Sequence, residues 1–399
     1  MQTLEITPTV PIPEHLTGEI QSKLAYVDES ILDADVSTDR IVLSIRETTA
    51  KTGEQTSPEQ MSLIEAKVGR VVESMAKGAI KPKVVILEDY MDRPALYDKD
   101  PMDELIQRGE LFQEGTGIYT FGPLLTALIE FFERQFLKLA ESYNAKSYRF
   151  PTLISAEYLQ RIHYFNAFPH SLSFVTHLRE DLDVIDDFAS NARYEAGGLN
   201  TPPEAFSKIH SLLSPAVCNH LYFALADKPL PGSELAATAV GSCFRYEAIN
   251  LDSLERLWDF SMREIIFVGP KDFVLNNRES ARARMEGFFK EIGLVYMVES
   301  ANDPFFIGEF RKQAAFQSAF QLKFEIRAAL PFKDSTLAVG SYNYHQDFFG
   351  RNLNISLPDD SPAHTGCVAF GLERIAYAFL AQFGIEMDKW PAVVKDGLT

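Results

Sequence analysis

One 27-residue segment, CFRYEAINLDSLERLWDFSMREIIFVG (residues 243–269), constrains the fold of this chain more than any other. Its pattern predicts a strand from Cys243 to Glu247, a polar loop, and a returning strand from Trp258 to Val268. Charged residues alternate along this antiparallel hairpin. Taken alone, they are also typical of a surface hairpin with exposed ion pairs, each worth less than about 1 kcal/mol. The charged positions are Arg245, Glu247, Arg256, Arg263 and Glu264.

A second segment, HTGCVAFGLERIAYAFLAQFG (residues 364–384), runs from a glycine-containing strand end into a helix. Arg374 falls in the first turns of that helix. The spacing of Ile375, Phe379 and Leu380 also fits an ordinary amphipathic helix with a solvated arginine. Glycines by themselves are a weak functional signal, so this segment indicates a function only in combination with the hairpin segment.

Helices and strands alternate through the rest of the chain, which predicts an α+β fold with a mixed or antiparallel sheet flanked by helices. A long amphipathic helix begins near Leu125 and ends near Asn144, and Pro151 then marks an edge strand or an interface. The other predicted elements are strands at Ile265 to Val268 and Leu294 to Val298, and helices at Pro270 to Ile292 and Ile307 to Ala329.

Residues 1–110 have more than twice the density of negative charge of residues 111–399. The first 110 residues contain 21 acidic and 12 basic side chains, a net charge of −9, and the other 289 carry the same net charge. A strand at Ile41 to Ile45, a helix at Pro58 to Met75 and a strand at Val84 to Leu87 predict a small acidic α/β extension. We therefore expect an extension over 1–110 and a main domain over 111–399.

Composition excludes several classes of protein. With 46% hydrophobic residues, the chain can bury a core and is not intrinsically disordered. A net charge of −18 disfavours broad binding to nucleic acid or anionic membranes. Three cysteines are too few for a disulfide framework and indicate a reducing compartment. With no secretory signal or membrane-spanning stretch in the sequence, we expect a cytoplasmic protein without membrane association.

Together, the two segments resemble motifs 2 and 3 of the class II aminoacyl-tRNA synthetases. The helix leading to Pro151 is similar to motif 1, the dimer-interface motif of that family, which implies a homodimer. The resemblance implies that Arg245 holds the α-phosphate of ATP and that Arg374 holds the γ-phosphate, both as catalytic residues. Fixed guanidinium groups suit this role because adenylate formation develops charge on phosphate oxygens. The ATP-site residues implied are Arg245, Glu247 (adenine side), Arg256 (β- or γ-phosphate), Leu257, Phe260 (adenine stacking) and Arg374.

A zinc site is implied by a closer resemblance, to the seryl-tRNA synthetase branch. Phe260 and Glu264 match its F-x-x-x-E pattern. Cys218, Glu264 and Cys367, spaced 46 and 103 residues apart, resemble the Cys–Glu–Cys zinc site of the atypical enzymes of that branch. Two thiolates and one carboxylate leave a fourth zinc position open, which in that family takes the substrate amino group. His220 is an alternative ligand, and Cys243 is expected to be a buried apolar residue.

The acceptor follows from what the first 110 residues lack. A bacterial seryl-tRNA synthetase reads its tRNA with a long basic coiled coil, which one helix of about 18 residues with an acidic net charge cannot form. Loss of that arm with the zinc residues retained is typical of the amino acid:carrier protein ligases. The resemblance thus implies ATP-dependent transfer of glycine, alanine or serine to the phosphopantetheine thiol of an acyl-carrier-like protein.

Other functions stay open at this point: a synthetase paralogue that charges tRNA or a small molecule, and a non-catalytic sensor of ATP or amino acids. Mg²⁺ is also open, because the magnesium-binding glutamate of the branch aligns with Ala338. Either phosphates and water hold Mg²⁺ with fewer protein ligands, or the alignment is off by a few residues and Asp334 serves. Basic residues on two predicted helices could bind the carrier. They are Arg278, Arg282, Arg284 and Lys290 on the first, and Arg311, Lys312, Lys323 and Arg327 on the second.

Overall fold

A computed structural model describes residues 1–47, 56–79, 83–195, 197–251, 253–303 and 321–398. Its strands are β1 Gln2–Ile6, β2 Ile31–Val36, β3 Ile41–Ile45, β4 Ile86–Asp89, β5 Leu111–Gly115, β6 Ile118–Phe121, β7 Lys146–Ser147, β8 Leu153–Ser155, β9 Phe174–Val175, β10 Arg193–Glu195, β11 Gly198–Asn200, β12 Ser211–Leu213, β13 Lys228–Pro229, β14 Leu235–Phe244, β15 Asp259–Gly269, β16 Tyr296–Ser300, β17 Lys323–Leu330, β18 Ser335–Gln346, β19 Ile355–Ser356 and β20 His364–Gly371. Its helices are α1 Thr17–Leu24, α2 Pro58–Ala76, α3 Met102–Gln107, α4 Pro123–Glu141, α5 Ala156–Arg161, α6 Tyr164–Ala167, α7 Leu182–Asn191, α8 Cys218–Leu225, α9 Lys271–Glu291, α10 Phe348–Asn352, α11 Leu372–Phe383 and α12 Ala392–Gly397.

Eight strands form the central sheet, in the order β4-β16-β17-β18-β20-β15-β14-β7. Neighbouring strands are antiparallel except β14 and β7, which pair in parallel at one edge. Alternate residues of each strand face opposite sides of the sheet. Helices α4, α9 and α11 cover one face, and α8 and α10 pack against the other. The predicted α+β class, an antiparallel sheet flanked by helices, is confirmed.

Aromatic packing fixes the helices on the first face of the sheet. Phe136 of α4 stacks on Phe370 of β20 with ring centroids 3.8 Å apart. Phe132 of α4 meets Phe379 of α11 edge-on at 5.8 Å. Helix α11 is buried along nearly its whole length, so the strand-to-helix turn that carries Arg374 is held rigidly between the sheet and α4.

The helix predicted at Ile307 to Ala329 is wrong in its second half. Residues 323–330 form strand β17, between β16 and β18. Phe324, Ile326 and Ala328 alternate into the core, and this period of two is the signature of a strand. The first half of that prediction, with Arg311 and Lys312, lies outside the described residues.

The N-terminal segment has a core of its own. Strands β1, β3 and β2 form an antiparallel sheet in that order, and α1 and α2 pack against it. Ser57 and Gln60 cap the start of α2 reciprocally. The strand predicted at Val84 to Leu87 corresponds to β4, which pairs with β16 and so belongs to the central sheet. The domain boundary at residue 110 stays a prediction.

Among the described helices, none combines the length and the hydropathy that a bilayer crossing requires.

Candidate functional site

The predicted hairpin is formed by β14 and β15, and its register sets the loop between them. Cys243 lies opposite Phe260 and Phe244 opposite Asp259. The Arg245 backbone N–H donates to the Trp258 carbonyl at 3.0 Å and closes the loop. The first strand ends at Phe244, three residues before the predicted end at Glu247. Arg245 and Glu247 therefore belong to the loop, where side chains do not have to alternate between the two faces of the sheet.

Three arginines and one glutamate face one another at this loop. Arg256 forms an ion pair with Glu247. Burial alone would raise the pKa of Glu247, but Arg256, Arg374 and Arg245 together hold that pKa below its usual range. The Arg245 guanidinium lies 5.3 Å from the Phe260 ring centroid. The structure thus brings five of the six residues of the expected ATP site together.

Backbone oxygens hold two of these arginines. Arg245 Nε donates to the Pro215 carbonyl at 3.1 Å, and Arg374 donates to the Ala338 carbonyl at 3.3 Å. Leu257 packs in the core with 5% of its surface exposed, so its side chain has little surface left to contact a nucleotide. The ATP-binding roles of all six residues stay predictions.

Glu373, which the sequence analysis missed, links the two motifs. It precedes Arg374 on α11, and both of its carboxylate oxygens accept from the Ser261 backbone N–H at 2.9 Å. Burial raises the Glu373 pKa to about 7. The signal in the sequence was an acidic residue, next to Arg374, at the start of a helix that is mostly apolar. Its partner on β15 becomes visible only once the strand and the helix meet.

Cys218, Glu264 and Cys367 form the predicted cluster, which we call the Cys–Glu–Cys trio. One ligand atom from each residue lies within 4.8 Å of the other two, and all three residues are buried. Cys367 lies opposite Ile266, two positions along β15 from Glu264 and on the same face. Cys218 is the first residue of α8.

Hydrogen bonding and charge in the trio favour a cation. Glu264 Oε1 accepts from the Val217 backbone N–H at 3.1 Å, and among the described residues Oε2 has no hydrogen-bond partner. Burial raises the pKa of Glu264 to about 8, and charge on Cys367 adds to this effect. A hydrogen bond from Cys218 lowers the pKa of Cys367 well below its usual range, and the same bond raises that of Cys218. A buried set of two sulfurs and a carboxylate with an orphaned oxygen fits Zn²⁺.

Polar residues on β18 and α8 surround the trio. The Asn343 side-chain amide donates to Cys367 Sγ at 3.4 Å. His345 Nδ1 lies 3.2 Å from the Thr365 hydroxyl and 3.4 Å from the Tyr222 hydroxyl. The sequence analysis missed Asn343, because its contact with Cys367 depends on the register of β18 against β20.

Two other residues near the trio stay outside it. His220 stacks on Phe150 with ring centroids 5.5 Å apart, and burial lowers its pKa to about 4. It is not part of the ligand cluster. Cys243 is fully buried against Val217 and Ala239, as the sequence analysis expected.

The basic residues considered for carrier docking that the structure describes already have partners within the chain, whereas Arg311 and Lys312 lie outside the described residues. Arg278 is buried and donates to the Gln321 carbonyl at 3.1 Å, and Arg282 pairs with Glu88 at 2.6 Å. Arg284 lies over the Tyr143 ring, and Lys290 pairs with Glu286. Lys323 and Arg327 lie on β17 and not on a helix, and both pair with Glu325. The docking surface stays a prediction.

The region expected to hold Mg²⁺ offers no carboxylate at Ala338. This residue lies on β18 opposite Arg327. Asp334 occupies the tight turn before β18, with a φ of 48°. How Mg²⁺ would be held, by Asp334 or mainly by phosphates and water, stays open between the two alternatives of the sequence analysis.

Comparison with known proteins gave two groups of relatives. Amino acid–[acyl-carrier-protein] ligases 1 and 2 of Bradyrhizobium diazoefficiens are each 34% identical to this chain, over 298 and 300 residues. These alignments cover 74% of this chain and 89% and 87% of the two ligases. A type-2 serine–tRNA ligase of Methanococcus aeolicus is 26% identical over 330 residues, 79% of this chain and 62% of that protein. No family model matches the chain.

Two solved structures share the fold. M. kandleri SerRS, crystallised with A. aeolicus tRNASec, superposes with a TM-score of 0.72 at 18% identity, over 99% of this chain and 77% of that one. The cytoplasmic serine–tRNA ligase of Naegleria fowleri, crystallised with AMP, gives a TM-score of 0.59 at 14% identity, over 85% of this chain and 71% of that one. The first likeness covers the N-terminal segment as well as the central sheet.

Proposed function

This chain belongs to the amino acid–[acyl-carrier-protein] ligase family, and on that premise we propose that it activates a small amino acid with ATP and transfers it to a carrier protein. The relatives' names support the ligase reaction and the carrier as acceptor. Glycine, alanine or serine is the proposed substrate, and the phosphopantetheine thiol of the carrier is the proposed acceptor. As in the sequence analysis, we propose that the enzyme acts as a homodimer.

One observation supports this proposal most: Phe260, with Arg245 beside it, lies on the same face of β15 as Glu264 of the trio. Phe260 and Glu264 are four residues apart on that strand, about 13 Å at the usual rise per residue. An aminoacyl adenylate has its amino group at one end and its adenine at the other, so it can bridge such a span. Arg245, beside Phe260, then comes near the α-phosphate between the two ends.

The first step joins the amino acid carboxylate to the α-phosphorus of ATP and releases pyrophosphate. Arg245, Arg256 and Arg374 supply fixed positive charge to the phosphate oxygens, where negative charge develops. Cys218, Glu264 and Cys367 would hold Zn²⁺, which, when bound, offers its open position to the substrate amino group. Holding the amino acid carboxylate in line with the α-phosphorus of ATP supplies much of the rate enhancement of this step.

In the second step the carrier thiol attacks the adenylate carbonyl. A carbon–sulfur bond forms, the bond from the carbonyl carbon to the phosphate oxygen breaks, and AMP leaves while the thiol loses its proton. No residue is needed as a covalent nucleophile. The names of the two ligase relatives support a protein acceptor over tRNA, and the net charge of −9 over residues 1–110 agrees with it.

The experiment has two parts. ATP–pyrophosphate exchange is measured with each of the twenty amino acids, and we expect exchange with glycine, alanine or serine. The preferred amino acid is then offered with a phosphopantetheinylated carrier protein and, in parallel, with total tRNA. We expect a mass increase of one aminoacyl group on the carrier. Charging of tRNA without carrier loading would contradict the proposed acceptor, and absence of exchange with all amino acids would contradict the proposed activation.

A further inference from the structure

The end of α1 in the N-terminal segment contacts the β14–β15 loop (residues 245–258). The Tyr26 hydroxyl donates to the Tyr246 carbonyl at 3.3 Å. In the opposite direction, the Asn250 side-chain amide donates to the Ser22 carbonyl at 3.5 Å. The loop that carries most of the predicted ATP-site residues is therefore bonded to an element more than 200 residues away in sequence.

A short segment around α6 strengthens this contact. Ala167 and Phe168 pack against the N-terminal core. His170 meets the Tyr26 ring edge-on at 4.8 Å, and the Ser171 carbonyl accepts from the Tyr246 backbone N–H at 3.1 Å. Tyr246 is thus held from both sides, so its position depends on the N-terminal segment.

Lys23 brings a buried positive charge to the same place. Only 3% of its surface is exposed. Its ammonium group interacts electrostatically with Glu19, Glu247 and Arg256, and burial lowers its pKa. Ser22 and Tyr26, on either side of Lys23 in sequence, contact Asn250 and Tyr246, so Lys23 lies next to the loop that carries Glu247 and Arg256. A buried ammonium needs compensating negative charge, and Glu19 supplies part of it; the place of Lys23 next to this loop calls for an explanation.

The explanation lies in what Arg256 must do when ATP binds. In this structure Arg256 is paired with Glu247. A polyphosphate attracts the guanidinium away from that pair, and Glu247 would then be a buried carboxylate with less compensation. Leaving a buried charge without its partner is strongly destabilising. A second cation close to Glu247 reduces that cost.

We propose that Lys23 is a positioning residue for ATP, supplying the countercharge for Glu247 when Arg256 turns to the polyphosphate. This inference rests on the proposed function, since it assumes that the loop binds ATP. It gives the N-terminal segment a role in nucleotide binding, through Lys23 for charge and Tyr26 for the position of the loop.

The test uses the full-length chain in ATP–pyrophosphate exchange. In Lys23→Met, which keeps the length of the side chain and removes its charge, we expect the KM for ATP to rise about tenfold. The KM for the amino acid and kcat should change less than about twofold. Lys23→Arg should restore most of the ATP affinity. Lys67→Met is the matched control, since Lys67 pairs with Asp28 within the N-terminal segment, at 2.7 Å.

Tyr26→Phe is a milder second variant, in case the loss of a buried charge disturbs folding. It removes one hydrogen bond to the loop and should raise the KM for ATP about threefold. The inference is overturned if exchange is active but both variants keep a normal KM for ATP, or if the KM for the amino acid rises equally. If the unmodified chain shows no exchange, the proposed function fails instead, so the two failures are distinguishable.

Discussion

The Cys–Glu–Cys trio and the arginine cluster (Arg245, Arg256 and Arg374) both adjoin β15, but they balance charge differently. The arginine cluster is compensated within the chain: Glu247 pairs with Arg256, and backbone carbonyls accept from Arg245 and Arg374. The trio contains only acidic groups, and one carboxylate oxygen has no hydrogen-bond partner among the described residues. We therefore propose that the trio is completed by a cation, and that the arginine cluster exchanges its internal partners for phosphate oxygens when ATP binds.

The largest effect that this comparison predicts is loss of zinc from single cysteine variants. Cys218→Ala or Cys367→Ala removes one of three ligands, so we expect the purified protein to lose its bound zinc and exchange activity to fall more than about a hundredfold. Elemental analysis and ATP–pyrophosphate exchange measure the two effects.

The third cysteine provides the matched control for that experiment. Cys243 is buried but lies outside the trio, so Cys243→Ala should keep its zinc. Full zinc content in the Cys218 and Cys367 variants, or equal loss from all three, would refute the assignment of the trio.

At the arginine cluster we expect activity to fall while the metal stays. Arg374→Ala removes a fixed cation from the proposed γ-phosphate position, and exchange should fall about a hundredfold or more with zinc content unchanged. Arg108→Ala is the control, because Arg108 is exposed, lies outside both motifs and pairs with Glu104 and Glu386. If Arg374→Ala lost zinc together with activity, the two regions would not be separable as proposed.

The smallest predicted effect concerns Glu373, which joins the two motifs. Its pKa is raised from 4.5 to about 7 by burial, so the folded state holds the proton more tightly than the unfolded state. The stabilisation is complete below about pH 4.5 and is lost as pH rises through about 7, at most about 3 kcal/mol.

Glu373→Gln should remove this pH dependence, because the neutral amide can still accept from the Ser261 N–H. Thermal unfolding of both proteins from pH 5 to pH 8 measures it. We expect the difference in Tm between variant and unmodified chain to move in favour of the variant as pH rises. A constant difference over this range would show that Glu373 does not titrate there.

The returning strand of the hairpin was predicted well: it was expected from Trp258 to Val268 and runs from Asp259 to Gly269, because period and charge patterns are local. The first strand overlaps its prediction only at Cys243 and Phe244, since it starts at Leu235, eight residues before the predicted start. Strand β17 was wrongly predicted as part of a helix, because its alternating charged and apolar residues directly follow a segment with a helix-like pattern. Its identity as a strand depends on pairing with β16 and β18.

By itself, the sequence determined which residue types carry the chemistry and the class of fold. Residue type and spacing are fixed along the chain, and a resemblance in motifs therefore pointed to Cys218, Glu264 and Cys367 before any coordinates. Only the tertiary structure decided that their ligand atoms meet within 4.8 Å and that α1, which carries Lys23, contacts the loop that carries Glu247. These contacts depend on strand register and on the packing of distant segments, which local patterns do not encode.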